Sequence, residues 1–195
     1  ELLRREVERG TDALVLAPVD PADLGAEWET LTRGTPTVTL ESELPEAVAL
    51  ITPDNEALGW ALARRALEEY RGGTVLLLDC LPENTGVQAR VEAAEAALIR
   101  GGATVLRWSE TGEEELIRLD EEGALAQVVA LEIGATEAAA QAKERAGSSA
   151  PLYGVGVTSR IAAWLERGTI SAVAAWSEYA AGYLAVDGAA KLARG

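Results

Sequence analysis

Residues 74–100 read TVLLLDCLPENTGVQARVEAAEAALIR, and this stretch decides the class of fold. It opens with an uninterrupted apolar run, Thr74–Leu78, which is typical of a strand covered on both faces of its sheet. The residues that follow repeat apolar side chains at helical spacing, until the pair Gly101–Gly102 marks the end of that helix. A second apolar run, Thr104–Trp108, comes next. Strand, helix and strand in this order predict a parallel βαβ unit.

The same alternation continues on both sides of this stretch and predicts an α/β fold with mostly parallel sheet. The predicted strands are Ala13–Ala17, Thr37–Leu40, Val48–Ile51, Thr74–Leu78, Thr104–Trp108, Gln127–Leu131, Leu152–Val155 and Ser171–Ala174. The predicted helices are Leu2–Glu8, Pro21–Thr32, Glu56–Tyr70, Gly86–Arg100, Glu113–Glu121, Thr136–Arg145, Ser159–Arg167 and Glu178–Ala193.

Two of these helices have recognisable capping chemistry at their start. Asp20 can accept a backbone N–H at the N-cap, and Pro21 suits the first helical position. Thr85 and Gln88 have the spacing of a capping box, in which each side chain bonds the other residue's backbone N–H. Both helices are therefore expected to begin close to these residues.

The composition excludes several classes of function. The chain has 195 residues and a net charge of −15, which argues against a nucleic-acid surface and against docking on anionic lipid. It has no His, so Ser-His-Asp catalysis, Cys-His catalysis and His-ligated metal sites are excluded. A single Cys, Cys80, can form neither an internal disulfide nor a zinc cluster. It has no Met, so we expect that Glu1 is not the native start.

Several phrases, taken in order, resemble a known family. They are Glu8–Asp20, Gly34–Glu41, Ile51–Asn55 with Gly59, the helix from Arg90 to Gly101–Gly102, Gly168–Val173 and Gly182–Val186. Their order and spacing resemble the type I periplasmic-binding-protein superfamily, the ribose- and galactose-type solute-binding proteins. The effector domain of LacI-type repressors has the same fold. The resemblance covers nearly all of the chain.

The resemblance implies two α/β lobes, each a mostly parallel sheet flanked by helices, with the ligand clamped between them. One lobe would be residues 1–53 plus 177–195, and the other residues 54–176. Compared with the family, the N-terminal lobe lacks its first strand, first helix and second strand, and the last strand is also missing. We therefore expect an incomplete N-terminal lobe in a chain truncated at both ends, continued by further sequence or completed by another chain. A natural minimal form is the alternative.

The resemblance also implies a ligand site at the strand ends. The candidate ligand-binding positions are Arg90, Glu41, Trp176, Glu132, Ala17 and Gly156. Arg90 matches the Arg that sugar binders place at the start of a second-lobe helix. Glu41, Glu132 and Trp176 keep a polar or stacking group where the family has other residues. Ala17 and Gly156 replace an Asn and an Asp that family members use for hydrogen bonds.

The replaced positions leave three possibilities: a less hydroxylated ligand, a changed ligand, or lobes that no longer bind a small molecule. A buried polar ligand group without a partner costs about 1–3 kcal/mol. We therefore expect several lost partners to abolish ordinary hexose affinity.

Simpler roles stay open for the candidate residues. Arg90 could pair with Glu83 or Glu92 on the surface, where ion pairs are common and weak. Glu41 could be a solvated loop acid, and Trp176 could only pack the hinge.

Three other residues are predicted to have structural roles, and one glycine-containing turn is not predicted to bind a dinucleotide. Trp60 and Trp164 lie in amphipathic helices and are predicted to be core residues, and Cys80 is predicted to be a small apolar residue that borders the site. The turn from Gly154 to Ser159 lacks the third Gly of a dinucleotide-binding fingerprint.

The leading functional expectation is a non-enzymatic solute-binding protein of an ABC-type uptake system. It would close two lobes on a sugar-like small molecule without a cofactor, outside the cytoplasm as a periplasmic protein or a cell-surface lipoprotein, with a membrane permease or receptor as partner. The alternatives are a sensor domain, a LacI-type effector domain with a helix-turn-helix upstream, or a degenerate module that binds a protein. An enzyme without His would be limited to carboxylate or Lys chemistry, and no such motif stands out.

Overall fold

The computed structural model describes residues 1–25, 27–109 and 112–194. The α-helices are α1 (Leu2–Glu8), α2 (Glu27–Leu31), α3 (Asn55–Glu69), α4 (Thr85–Arg100), α5 (Glu113–Glu121), α6 (Ile133–Ala146), α7 (Ser159–Glu166) and α8 (Glu178–Leu192). The strands are β1 (Leu14–Leu16), β2 (Thr37–Leu40), β3 (Ala49–Ile51), β4 (Thr74–Leu78), β5 (Thr104–Trp108), β6 (Leu125–Ala130), β7 (Leu152–Val155) and β8 (Ala172–Ala174).

The chain divides into two compact units. Unit 1 contains Glu1–Pro53, Glu83–Gly86 and Ser177–Gly195, and unit 2 contains Asp54–Pro82 and Val87–Trp176. Glu83–Gly86 groups with unit 1, although the sequence boundaries assigned it to the second lobe. Gly195, the predicted end of the first lobe, lies outside the described residues. None of the helices in the described part of the chain is long and apolar enough to cross a membrane.

Unit 2 is built on a five-stranded parallel sheet in the order β5-β4-β6-β7-β8. Its central strands β4, β6 and β7 are buried on both faces, as their uninterrupted apolar runs predict, whereas the edge strands β5 and β8 are only partly buried. In β4, Val75 and Leu77 pack in the core that includes α3 and α4, whereas Leu76 and Leu78 pack in the core that includes α5, α6 and α7. All four side chains are fully buried, so the sheet is a rigid platform for the loops at its edges.

Unit 1 has a three-stranded parallel sheet in the order β1-β2-β3. At the centre of its small core, Val38 of β2 packs against Ala185 and Ala189 of α8. Small side chains on α8 let this helix lie close to the central strand, and Ser177 caps the helix by accepting a hydrogen bond from Ala180 N.

The predicted helix Pro21–Thr32 is wrong as a single element. A 3-10 helix spans Pro21–Leu24, and α2 begins only at Glu27. Gly25 lies between them with a φ of 61°, a left-handed value that breaks the first helix. Ala26, inside the predicted helix, lies outside the described residues. The predicted cap is confirmed, since Asp20 Oδ1 accepts a hydrogen bond from Ala22 N at 2.7 Å.

The two tryptophans predicted to be core differ in the structure. Trp164 is buried in the core beneath α7, as predicted. The prediction for Trp60 is wrong, because its side chain is 44% exposed and the Arg64 guanidinium carbon lies 4.8 Å from the centroid of its ring. The aliphatic part of the Arg64 side chain and its charged guanidinium can cover the Trp60 ring, so Trp60 has a favourable contact although it is not in the core.

Candidate functional site

Arg90 and Trp176 meet at the carboxyl edge of the sheet in unit 2. The Arg90 guanidinium carbon lies 4.7 Å from the centroid of the Trp176 ring, within cation–π distance. Arg90 Nη1 donates a hydrogen bond to Leu131 O, at the end of β6, at 3.2 Å. The Arg90 side chain is buried, which contradicts the alternative of an ion pair on the surface. Two candidates from distant parts of the sequence thus share one location.

The position of Arg90 depends on a close approach between α3 and α4. A Cβ atom added to Gly59 of α3 would lie 2.1 Å from the backbone oxygen of Arg90. No real Cβ contact is that short, so only Gly lets the two helices come this close. Gly59 belongs to the phrase that carried the family resemblance, but its packing role is visible only in the structure.

Glu132 lies one residue beyond Leu131 and caps α6. Its Oε1 accepts a hydrogen bond from Gly134 N at 2.6 Å, and its Oε2 accepts one from Ala135 N at 2.8 Å. Both carboxylate oxygens therefore stabilise the helix start, where a negative charge is favourable. This cap also explains why α6 begins at Ile133, three residues before the predicted start.

Gly156 follows β7 at the same edge and has no room for a side chain. Its φ is 112°, and an added Cβ would lie 2.9 Å from Ile133 Cγ1 and 3.0 Å from Ile161 Cδ1. Its backbone N–H donates to Ala174 O at 3.1 Å. A carboxylate of the kind that the family places here would be strained at this φ and would meet apolar side chains.

The other two candidates, Ala17 and Glu41, lie in unit 1. Ala17 follows β1 and is exposed, and Glu41 follows β2 and is half-buried. Glu41 has a φ of 66°, and its N–H donates to Ile51 O at 3.1 Å. Because β1 and β2 are parallel, both residues lie at the carboxyl edge of the three-stranded sheet.

A hydrogen-bonded network in unit 2 was not predicted from the sequence. Asp79, directly after β4, accepts hydrogen bonds on Oδ2 from Arg107 Nε at 3.0 Å and Nη2 at 2.7 Å. Its Oδ1 accepts one from Gln88 Nε2 at 2.7 Å, and Arg107 Nη2 also donates to Gln88 Oε1 at 2.6 Å. The sequence signals were an acid directly after an apolar strand and a lone Arg inside β5.

This network overturns the capping-box prediction for α4. The Gln88 side chain bonds Asp79, Arg107 and, at 3.3 Å, Leu81 O. Thr85 Oγ1 accepts a hydrogen bond from Glu43 N at 2.8 Å. The spacing matched the motif, but long-range partners bind both side chains.

Cys80 is half-buried beside these acids. Burial, followed by the negative charges of Glu132 and Asp79, raises the pKa of the Cys80 thiol to about 11. A thiolate is the reactive form of Cys, so the folded protein should hold Cys80 in its unreactive form at neutral pH.

We expect the rate of Cys80 alkylation by iodoacetamide to rise almost tenfold per pH unit from pH 7.5 to pH 10, without levelling off. An ordinary thiol, with a pKa of about 8.5, levels off above pH 9. Mass spectrometry of timed samples measures the rate, and the same chain unfolded in urea is the control. A plateau near pH 9 in the folded chain would contradict the raised pKa.

The described residues, 1–25, 27–109 and 112–194, contain no group of three or more Cys, Asp and Glu side chains that could hold a metal ion. Arg90 and Trp176 bring a planar set of N–H donors and an aromatic ring to this edge of the sheet. Such an arrangement can bind and orient a small polar molecule.

Comparison with solved structures shows the same fold over nearly the whole chain. The periplasmic component of an ABC-type sugar transport system from Hahella chejuensis is 23% identical, with a TM-score of 0.88 over 99% of this chain and 76% of that one. An ABC transporter solute-binding protein from Agrobacterium vitis, bound with α-D-tagatopyranose, is 19% identical, with a TM-score of 0.89 over 99% and 73% of the respective chains. A glucose-galactose binding protein from Geobacillus stearothermophilus is 19% identical, with a TM-score of 0.85 over 99% and 74%.

The predicted fold, a type I periplasmic-binding-protein fold with mostly parallel sheets flanked by helices, is therefore confirmed. No curated protein matches the chain by sequence. A family model described as a periplasmic binding protein domain matches residues 1–195. The members of this family are non-enzymatic solute-binding proteins. The chain belongs to the periplasmic binding protein domain family.

Proposed function

We propose that this chain binds a sugar-like small molecule at the carboxyl edge of unit 2, with Arg90 and Trp176 as its principal contacts. The observation that carries the proposal is the pairing of a buried guanidinium with an aromatic ring at 4.7 Å, at the ends of β6 and β8. In support, structures with the same fold include two components of ABC transport systems, one for sugars and one bound to a sugar, and a glucose-galactose binding protein.

The chemistry of the pair suits a ring with hydroxyl groups. The Arg90 guanidinium lies over one face of the Trp176 indole, and the opposite face can cover the apolar C–H face of a sugar, as aromatic rings do at ligand sites. The guanidinium is a planar fork of five N–H donors, which can serve two neighbouring ligand oxygens at once. Its contact with Leu131 O fixes the orientation of the fork.

The carboxylates at this edge limit the classes of ligand that would fit the proposed site. Glu132 uses both oxygens on the cap of α6, and Asp79 uses both on Gln88 and Arg107. The edge in unit 2 therefore offers donors more readily than acceptors. This favours a ligand with few hydroxyl donors and with oxygen acceptors, such as a deoxy sugar or a sugar acid, in keeping with the expected loss of ordinary hexose affinity.

We further propose hinge closure as the binding mechanism. A ligand that contacts both units stabilises the arrangement in which both sets of contacts exist, and the population shifts toward it. The chain passes between the units next to Pro53, on either side of Glu83–Gly86 and next to Trp176. Trp176 is therefore both the last residue of unit 2 and a proposed ligand contact. Ala17 and Glu41 are the proposed contacts from unit 1.

The family membership supports a location outside the cytoplasm, as a periplasmic protein or a cell-surface lipoprotein. We propose that the chain delivers its ligand to a membrane permease of an ABC-type uptake system. The net charge of −15 is compatible with such a location, and it disfavours a nucleic-acid partner.

Thermal unfolding with a ligand panel tests the proposal. The panel contains hexoses, pentoses, deoxy sugars, sugar acids, polyols and nucleosides. A compound present at 100 times its Kd should add about 2.7 kcal/mol of stability, and for a chain of this length each kcal/mol raises the Tm by roughly 2–4 °C.

We expect a saturable shift with one chemical class. A shift that grows linearly with concentration, without saturation, indicates a general solute effect and serves as the internal control. A cooperative melt that no compound shifts would contradict the proposed small-molecule site.

A further inference from the structure

Arg90 projects from a segment of α4 that is held from two sides. Gln88 and Arg90 are two residues apart, about 200° around the helix at 100° per residue, so they point to nearly opposite sides. On the Arg90 side, the backbone of α4 abuts Gly59 of α3. On the Gln88 side, the ring of hydrogen bonds with Asp79 and Arg107 attaches α4 to the ends of β4 and β5.

The second attachment on that side is Glu95, seven residues after Gln88 and therefore on the same face of α4. Its Oε2 accepts a hydrogen bond from Arg107 Nη1 at 3.3 Å. Arg107 thus contacts two turns of α4 and the acid after β4 with one guanidinium. A planar fork can do this, whereas the point charge of a Lys ammonium group cannot.

The carboxylate at the centre of this network is buried. The Asp79 side chain is only 4% exposed, and the Arg107 side chain is 34% exposed. An enclosed carboxylate that receives three hydrogen bonds, two of them from a cation, is strongly fixed in place. The side-chain partners of Asp79 are Gln88 and Arg107, and Gln88 lies on α4. The position of the Asp79 carboxylate therefore helps to fix the position of α4.

We propose that Asp79, Arg107 and Gln88 are positioning residues, which hold the Arg90 guanidinium against the Trp176 ring and Leu131 O. The expected effect on ligand affinity rests on the proposed function. None of the three is proposed to touch the ligand. They act on the ligand through Arg90, by fixing the helix that carries it.

The first test needs no ligand. The indole ¹⁵N–¹H signal of Trp176, assigned by its loss in Trp176→Phe, reports the guanidinium above the ring. We expect Arg107→Lys and Asp79→Asn each to move this signal. Arg118→Lys is the matched control, because Arg118 also bonds two acids, Glu115 and Glu122, but on α5. A Trp176 signal that is unchanged in both folded network variants overturns the inference.

The second test is a double-mutant cycle with the sugar or sugar acid that gives the largest saturable thermal shift. We expect Arg107→Lys to weaken binding about tenfold, measured by isothermal titration calorimetry. In the Arg90→Met background, the same change should alter the Kd by less than twofold, because the residue it acts through is gone. An equal loss in both backgrounds overturns the inference.

The two proposals fail in different ways. If no panel compound binds the unaltered chain, the proposed function fails, and the Trp176 signal alone decides the positioning role. If a compound binds and Arg107→Lys lowers the Tm without moving either the signal or the Kd, the network is only a stabilising feature and the positioning role is refuted.

Discussion

Gly59→Ala is expected to lower the Tm of the chain by roughly 4–8 °C. The new Cβ would lie 2.1 Å from the backbone oxygen of Arg90, and a backbone atom cannot rotate away as a side chain can. Overpacking of this kind costs up to about 3 kcal/mol, while Ala in place of Gly in a helix returns about 1 kcal/mol. The net loss of about 2 kcal/mol corresponds to that shift in a chain of this length.

Circular dichroism melts of the folded chain measure this effect, and Gly182→Ala is the matched control. Gly182 also lies in a helix, α8, but an added Cβ meets nothing within 4 Å. There we expect a small stabilisation, of about 0.5–1 kcal/mol, from the helix propensity alone. A Gly59→Ala chain that melts at or above the temperature of the unaltered protein would show that α3 and α4 separate without cost, and would remove the argument that Gly59 places Arg90.

The fold was largely predictable because its signals are local. The strands Thr37–Leu40, Thr74–Leu78, Thr104–Trp108 and Leu152–Val155 have the predicted bounds. Each is a short apolar run next to turn residues, so its length is limited by its neighbours in sequence. The single helix predicted over Pro21–Thr32 is wrong for a local reason too, since Gly25 inside this span has a φ of 61° and ends the first helix.

The candidate site was less predictable because its geometry depends on contacts across the sheet. The resemblance to the family marked Arg90 and Trp176 separately, but the 4.7 Å between the guanidinium and the ring depends on the strand order β6-β7-β8. A lone Arg inside β5 was a signal for Arg107, but the sequence does not pair it with its partners Asp79 and Gln88, which are 28 and 19 residues away. Glu132 was predicted to contact the ligand, but in the structure its carboxylate accepts hydrogen bonds from the first backbone N–H groups of α6.

Arg90→Met is expected to weaken binding of the panel ligand about 100-fold. Met keeps most of the length and the apolar stem of the side chain, so the core around α4 stays filled. The lost groups are charged donors, and a hydrogen bond from a charged group contributes about 1.5–3 kcal/mol. Two such bonds to neighbouring ligand oxygens amount to about 3 kcal/mol, which corresponds to roughly two factors of ten in the Kd. Calorimetric titration of both proteins measures the ratio.

Arg64→Met is the control that shows whether the loss of affinity in Arg90→Met is specific to Arg90 or follows from the loss of any Arg–Trp contact. Arg64 lies over Trp60 at 4.8 Å, nearly the same distance as Arg90 over Trp176, but on the exposed side of α3. We expect the Kd of this control to stay within twofold of the unaltered chain. Arg90→Lys should fall between the two, with about a tenfold loss, because an ammonium keeps the charge but serves one oxygen where the fork serves two. Equal Kd values for Arg90→Met and Arg64→Met would mean that the guanidinium at the strand ends only packs against Trp176, and the ligand contacts would then have to come from elsewhere in the protein.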